Sequence, residues 1–277
     1  MKIRPILIDH IQNEVPDNEI AVLLSGGVDS ARVAIAAKDA GKKIKTYSFH
    51  LEGQPSYDSD QAKKISAKIG ASHITIAVPT DNLVEDWKEL VKHGCRKKTH
   101  FETVFPFLYV YERISEKYVL TGWGADGYFG VSKKAMMRYS SFKKKRNYVR
   151  YCKDHNQTRV NWYEFRKNYL DGDCAGLQHH TKLAKTFDKI HITPYLDSRI
   201  REHLMEMTWQ QLNKPQQKNI IREEFGLHEL KPHLNLHLGS KINKLFENLL
   251  DNKEINFRQR KRMMDVSRDW FNKNEII

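Results

Sequence analysis

A chain of 277 residues, 40% of them apolar, has the length and the ordinary soluble composition for a real core, as one large domain or two small ones. No apolar run approaches the roughly 18 residues of a membrane span, and Met1 to Pro5 lack the apolar core of a signal peptide. A formal charge of +13 favours polyanionic partners, whether ATP, an acidic small molecule or nucleic acid, without choosing among them. Cys95, Cys152 and Cys174 share no C-x-x-C spacing, which points to free thiols in a reducing cytoplasm.

In chain order, the first strong signal is the apolar run Ile20-Ala21-Val22-Leu23-Leu24 leading into Ser25-Gly26-Gly27-Val28-Asp29-Ser30. A buried strand, a glycine turn rich in hydroxyls and a following helix together make an anion site: successive N–H groups face one ligand, and the helix adds its positive end. Ser25 and Ser30 offer hydroxyl donors, and Asp29 suits Mg²⁺ beside a phosphate. The Gly-Lys-Ser/Thr of the ordinary P-loop is absent.

Val28 to Ala40 reads as a helix with Val28, Ala31, Ile35 and Ala40 on one stripe, stopped by Gly41. Ile44 to Phe49 reads as a strand. Asp58 to Ile69 reads as a helix with Ala62, Ile65, Ala67 and Ile69 inside and Gly70 at its end. Ser72 to Val78 is a third strand, and Asp81 to Val91 a helix with Asp81 as N-cap. Phe101 to Ser115 is predicted helical around Pro106, and Tyr118 to Thr121 a strand entering Gly122-Trp123-Gly124-Ala125-Asp126-Gly127.

This alternation predicts an α/β fold: a parallel, doubly wound sheet with helices on both faces. Residues 1–131 are expected to form its core, the nucleotide-binding part by the resemblance given below, and 132–277 a mostly helical part packed on that core. In such sheets ligands sit beyond the carboxyl ends of the strands where strand order reverses, so the segments after Leu24 and Leu120 are expected to share one crevice.

From Ser132 to Tyr169 twelve Lys and Arg stand against two acids, interleaved with aromatics. The Lys133 to Lys167 stretch is either a solvated helical face or a nucleic-acid surface. Further helices are expected over Leu177 to Phe187, Arg199 to Thr208, Gln216 to Phe225, Lys241 to Leu250 and Arg258 to Phe271, with Ile192 to Asp197 extended.

Ser25 to Ser30 resembles the signature of the ATP pyrophosphatases, or PP-loop enzymes. With Tyr47-Ser48-Phe49, Leu51-Glu52-Gly53, Val119 to Asp126, Thr193 to Asp197, Lys218 to Arg222 and Leu238-Gly239-Ser240, the chain resembles the synthetase domain of the asparagine synthetase family along almost its whole length. That resemblance implies an AMP- and pyrophosphate-forming ligase. ATP activates a carboxylate as an acyl-adenylate, and ammonia or an amine then forms the amide.

By position, Ser25, Gly26, Gly27, Asp29 and Ser30 would hold the pyrophosphate. Leu24, Phe49, Thr121 and Gly122 would line the adenine and ribose, and Asp29 and Asp126 would bind Mg²⁺ and serve as catalytic residues. Three departures stand out. Trp123 and Gly127 replace two family glutamates, the first placed to handle the incoming amine, and Trp cannot transfer protons. The family lysine ahead of the Gly-Ser block has no clear counterpart, Lys231 being nearest, and His237 is the candidate acid or base there. Residue 2 is Lys, not the nucleophilic cysteine of a glutaminase domain, so the nucleophile is expected to be free ammonia or another amine. Two other readings stay open: a PP-loop enzyme modifying a tRNA base, DNA base or nucleotide precursor, and an ATP-binding protein without catalysis.

Overall fold

The computed structural model describes residues 2–96, 98–129, 177–230, 239–249 and 272–273. Its centre is a five-stranded sheet of β1 (Glu19–Leu23), β2 (Lys43–Leu51), β3 (Ser72–Val78), β4 (Tyr118–Leu120) and β5 (Ile190–Ile192), in the order β3-β2-β1-β4-β5. Every pairing is parallel: Val22 lies opposite Thr46 on one side and Leu120 on the other.

The apolar run of β1 makes it the central strand. Ile20 and Val22 point into one core with Leu24, and Ala21 points into the other. Each Ile or Val so buried is worth about 1.5–3 kcal/mol. The first core is covered by α1 (Ile3–Glu14), α2 (Val28–Asp39), α3 (Tyr57–Ile69), α7 (Ala125–Phe129), α9 (Ser198–Met205), α10 (Trp209–Asn213) and α11 (Asn219–Phe225). The second is covered by α4 (Leu83–Lys92), α5 (Lys98–Val104), α6 (Phe107–Arg113), α8 (Leu177–Thr186) and α12 (Ile242–Leu249). Helices on both faces of a parallel sheet make the chain doubly wound, as its alternation predicts. The described residues after 176 supply helices to both faces and the edge strand β5.

Several local expectations need correction. The α2 stripe is too narrow: α2 is buried almost all round, including Arg32, because α1, α3 and α11 surround it. Ala67 is exposed, and Ser66 takes the inward place, its hydroxyl bonded to the Ala71 carbonyl at 2.9 Å. Asn82, not Asp81, is the N-cap of α4, with no side-chain bond.

Pro106 divides the predicted Phe101 to Ser115 helix, ending α5 ahead of it and serving as N-cap of α6, since it has no N–H to continue the ladder. Ile192 to Asp197 is not uniformly extended: Ile192 ends β5 and Pro194–Leu196 is a 3₁₀ turn. The helix over Arg258 to Phe271 falls outside the described residues.

Candidate active site

The strand order places β1 and β4 side by side although β2 and β3 intervene in sequence. Their carboxyl ends therefore flank the point where strand order reverses. The two following loops touch: a Cβ on Gly122 would lie 2.7 Å from the Ser30 amide nitrogen and 2.9 Å from the Asp29 carbonyl carbon, so only glycine fits. Gly26 has φ +76°, and a Cβ there would meet the Asp58 carbonyl at 2.5 Å. The two loops thus lie against each other at the carboxyl ends of β1 and β4.

Within the first loop the hydroxyls hold the turn together. The Ser25 amide donates to Ser30 Oγ at 3.0 Å, Ser30 Oγ donates to the Gly27 carbonyl at 3.2 Å, and the two Oγ atoms lie 3.0 Å apart. Leu24 packs into the first core, its amide bonded to the Tyr47 carbonyl at 2.8 Å. Phe49 is half-buried near the end of β2, 5.7 Å from the Phe107 ring. Thr121 is buried at the end of β4, with its amide on the Ile192 carbonyl.

Asp29, in the first turn of α2, and Asp126, in α7, meet at one cation. Lys218 Nζ donates to Asp126 Oδ1 at 2.5 Å and to Asp29 Oδ2. Lys218 is 6% exposed. Burial pulls its pKa down, and the Asp126 and Asp29 carboxylates more than offset that, so the ammonium is held above its ordinary range. Its backbone sits in the left-handed region (φ 59°), and its amide donates to Asn213 Oδ1 at 3.0 Å. Asn213 Nδ2 in turn donates to the Phe129 carbonyl at 2.8 Å, tying the turn before α11 to α7.

Beneath Asp29 lies Arg32, fully buried. Its guanidinium donates to Asp29 Oδ1 at 3.3 Å and to the Tyr195 hydroxyl, and lies 4.9 to 5.6 Å from the ring centres of Tyr195, Phe129 and Phe225. Burial lowers its pKa, opposed by Tyr195 and Asp29. The Tyr195 hydroxyl donates to the Asp29 carbonyl at 3.4 Å. Asp197, two residues on, caps α9 through the Arg199 amide at 2.9 Å, and the Arg199 guanidinium holds its carboxyl down at about 2.

The opposite side of the crevice is neutral. Trp123 lies 4.3 Å ring to ring from His180 on α8, and His180 lies 4.4 Å from Phe107. Thr181 Oγ1 donates to the Leu177 carbonyl, so it accepts from His191 Nδ1, which leaves His191 Nε2 to accept from Thr121 Oγ1 at 3.0 Å. Burial pushes His191 down to about 4.

The structure thus brings together Ser25, Gly26, Gly27, Asp29, Ser30, Thr121, Gly122 and Asp126. Phe49 stands at the rim, and Leu24 contributes backbone at the strand end. His237 and the Lys133 to Lys167 stretch lie outside the described residues. Lys218, Arg32 and His180 carry no assignment from sequence reasoning. A lysine at the start of the Lys218 to Arg222 block was the available signal for the first. The fully buried face of α2 gave none for the second.

Two glycine-bearing loops at a strand-order reversal, with paired carboxylates on one buried ammonium, mark the candidate site of an α/β protein. The sequence profile of the asparagine synthase family matches residues 4–224, and the chain belongs to that family. Asparagine synthetase [glutamine-hydrolyzing] 1 of Bacillus subtilis (strain 168) is 29% identical over 124 residues. That alignment takes in 44% of this chain and only 19% of the relative.

Similar solved structures include an NH3-dependent NAD synthetase from Campylobacter jejuni (16% identity, TM-score 0.36, covering 84% of this chain and 97% of that one). NMN synthetase from Francisella tularensis is 14% identical, with TM-score 0.34 and coverage of 98% and 93%. A predicted subunit of tRNA methyltransferase from Methanocaldococcus jannaschii is 15% identical, with TM-score 0.35 and coverage of 68% and 75%. At these scores the likeness carries no functional weight.

Proposed function

We propose that the chain is an ATP-dependent, AMP- and pyrophosphate-forming ligase that adenylates a carboxylate for amide formation with ammonia or an amine. The observation that carries this reading is the convergence of Asp29 and Asp126, from the loops after β1 and β4, on one buried cation position. Membership of the asparagine synthase family supplies the reaction class.

The donor set fits Mg²⁺. Two carboxylates from different loops already share one positive charge, and a hard divalent ion takes such oxygens. Bound there by Asp29 and Asp126, Mg²⁺ would neutralise charge on the leaving pyrophosphate. With the metal held there, the Lys218 ammonium would be available to the phosphates, from the position it now holds between the two carboxylates. Ser25, Gly26, Gly27 and Ser30 supply hydroxyl and amide donors in the same turn. Arg32 and the Tyr195 hydroxyl keep Asp29 in place from below. Phe49, Thr121 and Gly122 line the nucleoside side.

Carboxylate-dependent exchange of labelled pyrophosphate into ATP, with Asp29→Ala as the control, tests the reading. Exchange lost in Asp29→Ala supports it. No exchange by the native chain with any carboxylate offered overturns it.

A further inference from the structure

Trp123 occupies the place where the family resemblance puts an amine-handling glutamate, and an indole accepts no proton. Packed on it is a ring that can. His180 Nε2 lies 3.0 Å from the Thr103 carbonyl, an acceptor only, so Nε2 carries the hydrogen and Nδ1 is left with its lone pair. His180 is 1% exposed, and its Nδ1 has no hydrogen-bond partner among the described residues. A bare buried acceptor of this kind is costly to leave unpaired. Its surroundings are rings: Trp123 at 4.3 Å, Phe107 at 4.4 Å, His191 at 6.0 Å and Tyr111 at 6.5 Å. Through Trp123 the site is one residue from Gly122, whose backbone touches Asp29 and Ser30.

We propose that His180 Nδ1 is the proton acceptor for the amine that attacks the activated carboxylate, in place of the carboxylate lost at Trp123. This rests on the adenylation reading above and names the group that serves its second half. The amine lone pair attacks the acyl carbon and forms the C–N bond. Nδ1 takes one N–H proton as the imidazole becomes imidazolium. The bond from the acyl carbon to the AMP oxygen breaks, its electron pair leaves with AMP, and the imidazolium returns the proton to solvent.

The Thr103 carbonyl fixes the ring's tautomer and steadies the transient charge, much as a triad's third member orients its histidine. Burial, with His191 and His179 adding to it and the Thr103 carbonyl opposing, holds His180 well below its ordinary range. The acceptor is therefore free at neutral pH, and its apolar ring surroundings favour an amine that arrives uncharged.

The test separates the two half-reactions in the full chain. Carboxylates drawn from the amino acids and small dicarboxylic acids are screened by ATP–pyrophosphate exchange, and amide formation is then read with ammonium chloride or methylamine. His180→Gln keeps an N–H for Thr103 and removes Nδ1. It is expected to lower amide formation about 100-fold, with exchange within about three-fold of the native chain. The double variant Trp123→Glu/His180→Gln, which restores a carboxylate, is expected to recover about ten-fold of that loss.

Equal loss of both half-reactions with an unchanged melting temperature overturns the proposal, as does loss of neither. Absence of exchange in the native chain overturns the adenylation reading and this proposal with it. If His180→Gln does not fold, ¹⁵N-histidine spectra of the native chain decide. A buried ring with Nε2–H and a bare Nδ1, perturbed by methylamine, supports the assignment, and a ring protonated at Nδ1 overturns it.

Discussion

The two walls of the crevice handle charge in opposite ways. On the α2 side, Asp29, Asp126, Lys218 and Arg32 form a nearly closed set of ion pairs, with carboxylates and cations each balancing the other. On the α8 side, Trp123, His180 and His191 pack ring to ring, and burial keeps both histidines neutral. A charged wall with exchangeable ion pairs suits phosphates and a metal ion, because incoming charges substitute for charges already there. A neutral wall suits an amine that must lose its proton to react. The divide follows the sheet: α2, α7 and α11 cover one face, and α6 and α8 the other.

The largest expected effect lies on the charged wall. Asp29→Asn leaves Lys218 and Arg32 short of a shared carboxylate, and stability should fall by about 3–5 kcal/mol. Pyrophosphate exchange should drop by about 10²-fold or more. Urea melts and radiolabel exchange measure the two effects. A loss of exchange with full stability would show that the ion set does not hold the loop.

The neutral wall predicts a pH signature instead. His191 takes up its proton at about 4 when folded and near 6.5 when unfolded, so the unfolded chain binds more protons between those values. Stability is therefore unaffected by His191 above pH 6.5 and is lost as pH falls from 6.5 to 4, by about 3 kcal/mol. His191→Gln should flatten the slope of melting free energy over that window. An unchanged slope would break the contrast between the walls.

Lys218→Met sharpens the contrast from the other direction. Without the ammonium, Asp29 and Asp126 face each other, and added Mg²⁺ should stabilise the variant more than the native chain. The gain is about 2–3 kcal/mol at a concentration near 100 times the dissociation constant. Thermal melts across a Mg²⁺ series read the difference. Equal responses would mean that the metal does not use this carboxylate pair.

How much of this was legible in the sequence follows from the range of the interactions. Local patterns carried the parallel sheet, Gly70 as the α3 stop and the convergence of the Ser25 and Gly122 loops, since strand, turn and helix signals lie within a few residues. Partners distant in sequence did not show. Arg32 is not on the stripe of Val28, Ala31, Ile35 and Ala40, and Tyr195 and Phe225, more than 160 residues on, enclose it. Helix α1 has no side-chain cap of its own, and the Ile3 and Arg4 amides donate to Glu224 instead, at 3.1 and 2.7 Å. β5 is three residues long, too short for periodicity, and exists because β4 offers it an edge.

The smallest expected effect is the most discriminating about what Arg32 is for. If the guanidinium were chiefly a source of stability, Arg32→Met would cost several kcal/mol. But its desolvation is severe, with Nε and Nη1 unpartnered among the described residues, and a thioether of similar length fills the box of Tyr195, Phe129 and Phe225. Buried ion groups replaced by well-packed apolar ones are often neutral, so stability should change by less than about 1 kcal/mol. Asp29 then keeps its bond from Lys218 and loses the one that fixes Oδ1, and exchange should fall about ten-fold through misplacement. Melting and exchange that both stay native would remove Arg32 from the site. A collapse of both would make it a structural ion after all. A stable, slow variant is the outcome that the geometry predicts, because Arg32 acts on this wall through Asp29, directly and by way of the Tyr195 hydroxyl.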